Sequence, residues 1–204
     1  MKSMLKDAAI LLAITLIAGL MLGGVYQITK DPIARQEALA LENACREVFA
    51  DAASFETAEN FDPVSAENVL SEGGYGGQTI EGYQTAIGAD GSTAGYVITV
   101  TTHEGYAGDI QFTMGINMDG SLNGISLLSI GETPGLGMQA EDVLVPQFAG
   151  RNAYPFEYVK GQASAENQID AISGATVTTE ALLNGVNAGL YYFQNALLIS
   201  AGQE

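Results

Sequence analysis

The stretch from Thr93 to Ile130 decides the fold: TAGYVITVTT (93–102), HEGYA (103–107), GDIQFTMGIN (108–117), MDG (118–120), SLNGISLLSI (121–130). Three runs rich in β-branched and aromatic residues are separated by turn chemistry. Asp90-Gly91 precedes the first, His103 to Gly108 separates the first two, and Asp119-Gly120 separates the last two. Connections this short join neighbouring strands in opposite directions, so the segment predicts an antiparallel meander. Upstream, Ala50 to Gly82 is acidic and glycine-rich (SEGGYGG, 71–77), which predicts irregular structure with one short helix near Ala66. Downstream, Met138 to Phe148 reads as a short helix and Phe156 to Val159 as another strand. Thr178 to about Ile199 reads as a long final helix, with Leu182, Val186, Leu190, Phe193 and Leu197 on one face. The sum is an α+β domain, its helices packed on an antiparallel sheet.

The amino-terminal region is of another kind. Ala8 to Thr29 carries no charged residue, and a helix of that length spans roughly 30 Å of hydrocarbon. The run is long for a signal core and lacks a crisp small-x-small cleavage site, so a retained single-pass anchor is expected. Gly19 and Gly23 stand at helix-packing spacing. Lys2 and Lys6 on one side against Lys30 and Arg35 on the other lean only slightly towards a cytoplasmic amino terminus. Asp31-Pro32 reads as an N-cap followed by proline at the first helical position. Beyond it Ala34, Ala38, Leu41, Cys45 and Val48 recur at helical spacing, with Cys45 a small core residue on that stripe. The expected division is an anchor over 1–30, a juxtamembrane helix and acidic segment over 31–81, and a cofactor-sized domain over 82–204.

Composition excludes several functions. The chain has 204 residues, 47% of them hydrophobic, with 24 acidic against 7 Lys and Arg. Beyond Arg46 the only basic residues are Arg151 and Lys160, too few to engage nucleic-acid phosphates. One cysteine and one histidine allow no internal disulfide and no cysteine-ligated cluster, and no metal site is assigned. A hydrolytic triad would depend wholly on His103, which reads as a solvated turn residue.

Two segments carry chemistry. In DAISGATVTT (170–179) a Gly-Ala pair is bracketed by hydroxyls at the entrance to the final helix. Small residues there allow close approach to backbone, and the free N–H groups of a helix start make an anion site. The same residues also suit an ordinary capped helix start. In GETPGLGMQAED (131–142), Thr133-Pro134-Gly135 directs a turn between the last meander strand and a helix, and places Glu132 and Thr133 where a ligand's polar edge could lie.

Together the two segments resemble something specific. DAISGATVTT is similar to the Asp-x-x-(Ser/Thr)-Gly-Ala-Thr flavinylation motif. ETPGLG (132–137) resembles its companion loop in the FMN-binding domain shared by the G subunit of the Rnf complex and the C subunit of the sodium-pumping NADH:quinone oxidoreductase. GYAGDI (105–110) and MDGSLNGI (118–125) also fit, so the resemblance runs from about Gly82 to Leu198. It implies an FMN joined through its phosphate to Thr176, with Asp170, Ser173, Gly174 and Ala175 as the recognition segment. Glu132, Thr133, Gly135 and Leu136 would line the non-covalent side. No general base is evident beside Thr176, and the family solution is a separate Mg²⁺-dependent flavin transferase using FAD. The chain is then substrate in that step, and needs no catalytic acid or base of its own.

Compactness favours the Rnf G subunit over the C subunit, which typically carries extra sequence before the shared domain, although Gly131 stands where many relatives of the former carry a residue such as His. The expectation is a membrane-anchored electron carrier in an ion-translocating ferredoxin:NAD⁺ oxidoreductase, associated with other membrane and redox subunits, its domain extracytoplasmic. The acidic field should lower the flavin potential. The rival readings are the quinone-reductase subunit, a free-standing extracytoplasmic flavin carrier, and a flavin-free module in which Thr176 only caps a helix and Tyr75, Tyr83, Tyr96 and Tyr106 form packing surfaces.

Overall fold

In a computed structural model, residues 2–201 are described; Met1 and residues 202–204, which close the expected anchor and cofactor domain, lie outside them. Two compact units are present, Met1–Ala40 and Leu41–Glu204. The elements are, in order, α1 (Lys2–Val48), β1 (Ser54–Thr57), α2 (Pro63–Glu72), β2 (Gln78–Ile87), β3 (Thr93–Thr102), β4 (Ile110–Asn117) and β5 (Leu122–Ile130). They continue with α3 (Ala140–Val143), α4 (Val145–Phe148), β6 (Glu157–Val159), β7 (Gln168–Asp170), α5 (Thr176–Tyr192) and α6 (Leu198–Ala201).

The first unit is helix alone, and the most apolar part of α1 has none of its residues buried. A helix so apolar and so bare fits a single-pass membrane anchor. The expected start at Asp31-Pro32 is not found, because Pro32 lies inside α1. Proline removes one donor, which costs the carbonyl four residues back its partner. The good helix formers that follow (ARQEALALE, 34–42) carry the helix through that single loss.

In the second unit β1 to β5 form one antiparallel sheet in sequential order, and the meander read from residues 93–130 supplies three of its five strands, from the centre to the β5 edge. The Asp-Gly turns form as their chemistry requires. Gly91 and Gly120 have φ of 79° and 85°. Asp90 accepts from the Ser92 amide and hydroxyl, and Asp119 does the same with Ser121. These hydrogen bonds from serine hold both carboxyls below their ordinary range.

Three strands were not expected from the sequence: β7, which pairs in parallel with β6, and β1 and β2. β1 and β2 occupy part of the acidic, glycine-rich stretch assigned to irregular structure, and β2 runs across the anticipated 81/82 boundary. Its period is broken by a bulge between Ile80 and Gly82. The bulge puts Ile80 and Tyr83 on one face although they are three residues apart, whereas Ala86 packs on the other. The helix expected near Ala66 is α2, which buries Ala66 and Leu70. The single helix expected over Met138 to Phe148 is instead a 3₁₀ turn (Gly137–Gln139) followed by α3 and α4. Pro146 at the start of α4 accounts for the division. The final helix starts two residues earlier than expected and passes through a π turn at Phe193–Leu197.

Both sheet faces are covered. The main core joins Ile98, Val100, Phe112, Met114 and Ile116 to α2 and α5; full burial of each such side chain contributes about 1.5–3 kcal/mol. α5 comes close enough that a Cβ on Gly185 would lie 2.9 Å from Phe112, and one on Gly189 would run into Met114. On the opposite face Cys45, Val48 and Phe49 pack against Ala86 and Val97. Cys45 is the core residue expected, its thiol donating to Gln84 Oε1 at 3.3 Å. Burial, with Glu42 nearby, pushes the thiol up to about 11.

Candidate functional site

The residues 170–179 form a hinge between β7 and α5. Gly174 has φ +80°, a conformation glycine adopts without strain, and the turn it makes brings its backbone against the Leu136 side chain. α5 then begins at Thr176, with Ala175 in the N-cap position and no side-chain cap. Among the described residues no protein acceptor takes the N–H groups of residues 176, 177 and 178. Uncapped donors at the positive end of a 17-residue helix favour an anion.

The four hydroxyls of this segment divide into two pairs. Thr179 Oγ1 donates to the Ala175 carbonyl (2.9 Å) and accepts from the Ile172 amide (3.1 Å), closing the hinge internally. Thr178 Oγ1 donates to Glu132 Oε2 at 3.0 Å. Ser173 and Thr176 have no hydrogen-bond partner among the described residues. The two buried hydroxyls are therefore structural, and the two more accessible ones are free.

Glu132 is the opposite case. It is buried, and its Oε1 accepts from the Tyr106 amide (2.7 Å) and the Ala107 amide (3.4 Å) while Oε2 accepts from Thr178. It ties the loop after β3, the loop after β5 and the start of α5 together. Gly137 makes this closeness feasible, since a Cβ there would lie 2.6 Å from Thr178 Oγ1 and 2.8 Å from Glu132 Cβ.

A cleft of about 450 Å³ opens where these loops meet. Of the residues singled out in the sequence, Glu132, Thr133, Leu136, Gly174, Ala175 and Thr176 line it. Gly135 does not; it turns the chain at φ +76°, and its carbonyl accepts from Gln139. Ser173 lines a second cleft of about 310 Å³ that shares Gly174 and Thr176 with the first. Asp170 reaches neither. Its carboxylate accepts from the Ala163 amide (2.6 Å), and its own amide donates to Gln147 Oε1 (2.7 Å), so it shapes the loop before the hinge.

Sequence reasoning missed Tyr106, Gly137, Val177 and Thr178 as lining residues. Tyr106 lay within the GYAGDI segment, but nothing in that segment distinguishes a wall residue from a turn residue. His103 is held by Thr79 (2.9 Å) and Asp109 (3.0 Å) in the loop expected for it.

The cleft suits a flat, largely apolar ligand with an anionic end. Tyr106, Leu136, Ala175 and Val177 supply apolar walls, its volume lies within the range of small-molecule sites, and the uncapped helix start and free Thr176 hydroxyl meet at one end. These features fit a flavin mononucleotide.

Comparison with known proteins agrees with that chemistry. Residues 105–191 match the FMN-binding domain, so fold and site define an anchored protein with an FMN-binding domain. Residues 1–48 match the RnfG N-terminal region. The chain belongs to the family of Rnf complex G subunits. It is 34% identical over 197 residues to the G subunit of the Na⁺-translocating ferredoxin:NAD⁺ oxidoreductase complex of Acetobacterium woodii, covering 95% of this chain and 93% of that relative. It is 29% identical to the G subunit of the proton-translocating ferredoxin:NAD⁺ oxidoreductase complex of Clostridium ljungdahlii, over 83% and 80% of the two chains. NqrC of Shewanella oneidensis shares the fold, with a TM-score of 0.53 and 20% identity over 60% of this chain and 61% of that one.

Proposed function

We propose that this chain is the electron-transfer subunit of an ion-translocating ferredoxin:NAD⁺ oxidoreductase, and that its FMN is held covalently as a phosphoester on Thr176. The observation that carries the attachment is the division of hydroxyls. Thr178 and Thr179 are bound within the fold, while Thr176 stands free at the first position of α5, on the lip shared by two clefts.

FMN, when bound, supplies the redox chemistry. The chain's residues orient and retain it. Leu136, Ala175 and Val177 offer apolar surface, Thr133 offers a polar edge, and the N–H groups of residues 176 to 178 face negative charge. Glu132 lines the cleft but spends both oxygens on protein donors, so it fixes the walls as a positioning residue. No base lies in hydrogen-bond contact with the Thr176 hydroxyl among the described residues, which supports attachment by a separate flavin transferase. The partners are then the other membrane and redox subunits of the complex, with the transferase during maturation. The cofactor domain faces the extracytoplasmic side, the amino terminus the cytoplasm.

Intact mass and in-gel ultraviolet fluorescence of the full chain, co-expressed with a flavin transferase, test this reading beside Thr176→Ala. A denaturation-resistant flavin on the wild type that disappears in the variant is expected. A wild type that stays unmodified under those conditions would return Thr176 to the role of a helix start.

A further inference from the structure

The second cleft has a property that the first lacks. It is lined by Lys160, Gly161, Ala171, Ile172, Ser173, Gly174 and Thr176, and it brings one of the two basic residues after Arg46 beside the acceptor. The other is already engaged. Arg151 donates to the carbonyls of Glu166 (2.8 Å) and Gln168 (2.9 Å), bracing the loop before β7. Lys160 pairs with no carboxylate among the described residues, in a chain of formal net charge −17. It sits in the wall of a cavity whose other polar side chains, Ser173 and Thr176, also have hydroxyls without protein partners.

We infer that the Lys160 cleft is a phosphate subsite, in which the Lys160 ammonium and the Ser173 hydroxyl hold the charged oxygens of the group esterified to Thr176. The inference rests on the proposed attachment of FMN at that residue. Thr176 is shared by the two clefts, so a phosphorus on its oxygen stands between an apolar wall on one side and a cation on the other. The ring system belongs with Leu136 and Val177, and the charge belongs with Lys160. A phosphodiester keeps one negative charge at all physiological pH values. In so acidic a domain, a neighbouring ammonium and the uncapped N–H groups of α5 are the groups able to offset it.

The test uses the full chain in detergent, flavinylated by co-expression. Lys160 is the only lysine after Lys30, so its labelling by acetic anhydride can be followed on a single peptide by mass spectrometry. Lys160 should acetylate several-fold more slowly in the flavinylated wild type than in unflavinylated Thr176→Ala. The ³¹P resonance of the attached ester should move in Lys160→Ala and return towards its wild-type position in Lys160→Arg, which a merely steric or structural role would not produce. Equal labelling with and without flavin, together with a ³¹P resonance indifferent to Lys160→Ala, would overturn the inference while leaving attachment intact. A wild type whose intact mass shows no FMN would instead defeat the attachment reading, and this inference with it.

Discussion

Replacing Glu132 separates a positioning role from a ligand-contact role, because its three hydrogen bonds exist without any cofactor. The Tyr106 amide at 2.7 Å and the Thr178 hydroxyl at 3.0 Å are well-formed bonds to a carboxylate, whereas the Ala107 amide at 3.4 Å is marginal. A hydrogen bond to a charged group contributes about 1.5–3 kcal/mol, and a buried donor left without an acceptor costs a similar amount. Tyr106 lies at an exposed loop, so water can recover part of the loss on that side. Glu132→Ala should therefore destabilise the domain by about 3 kcal/mol, which corresponds to roughly 6–12 °C in Tm for a domain of this size. Glu132→Gln keeps an acceptor for Tyr106 and can donate to the rotated Thr178 hydroxyl, so it should cost only about 1 kcal/mol. Thermal unfolding followed by circular dichroism, on full-length chain made without transferase, is the assay. If Glu132→Ala melts with the wild type in the absence of flavin, the three bonds are not holding the loops, and Glu132 belongs among the ligand contacts.

Three further outcomes follow from the same geometry. Gly174→Ala forces a Cβ into a φ of +80° and to 3.3 Å from Leu136; it should cost about 1–2 kcal/mol and slow flavin attachment, read as the fraction modified by intact mass, with the far-ultraviolet spectrum unchanged. Gly185→Ala meets the Phe112 ring at 2.9 Å and should destabilise by about 1–3 kcal/mol, measurable by urea denaturation. Cys45 is held protonated in the fold, its thiol raised from 9.0 to about 11. Above pH 9 the unfolded chain loses this proton while the native chain keeps it, so stability must fall as pH rises from 9 to 11. The share due to Cys45 should approach about 2–3 kcal/mol, and Cys45→Ala should flatten the profile between pH 9 and 10, above which Tyr75 and Tyr192, also raised by burial, add to the fall.

The readable parts of the sequence were those whose pattern is local. β3, β4 and β5 are rich in β-branched and aromatic residues and are joined by Asp-Gly or glycine-containing turns, so their order and direction follow from the sequence, whereas the two bulges in the β4–β5 pairing do not. β2 was hidden because Gly82 sits at a bulge and shifts its faces midway, which erases the period-two signal. β1 and β7 have four and three residues, too short for any periodicity to accumulate. At the site, Thr176 and the Thr133–Gly135 turn were legible because a helix entrance and a Pro-Gly turn have sequence signatures. The fate of each polar side chain was not. DAISGATVTT offers four hydroxyls of similar standing, and only tertiary structure shows that Thr178 meets a carboxylate 46 positions away. Lys160 was equally opaque, since a lone lysine before a glycine reads as ordinary surface.

The form of the cleft bears on why a covalent bond would be needed. Its walls are rims: Tyr106 is 72% exposed, Val177 47% and Leu136 43%. Sites that retain small molecules by affinity alone usually bury most of the ligand's surface, and walls this exposed cannot. Burying the flavin more deeply would secure it, but would also remove its edge from any partner to which electrons must pass. The proposed bond at Thr176 would separate the two requirements, because retention would no longer depend on contact area and the tether would hold the ring at a high effective concentration against a modest apolar wall. The acceptor then has to sit on a rigid element, and the first turn of a helix packed through Gly185 and Gly189 against the sheet is such an element. On this argument the loops set how the flavin is presented, while α5 sets where it is fixed.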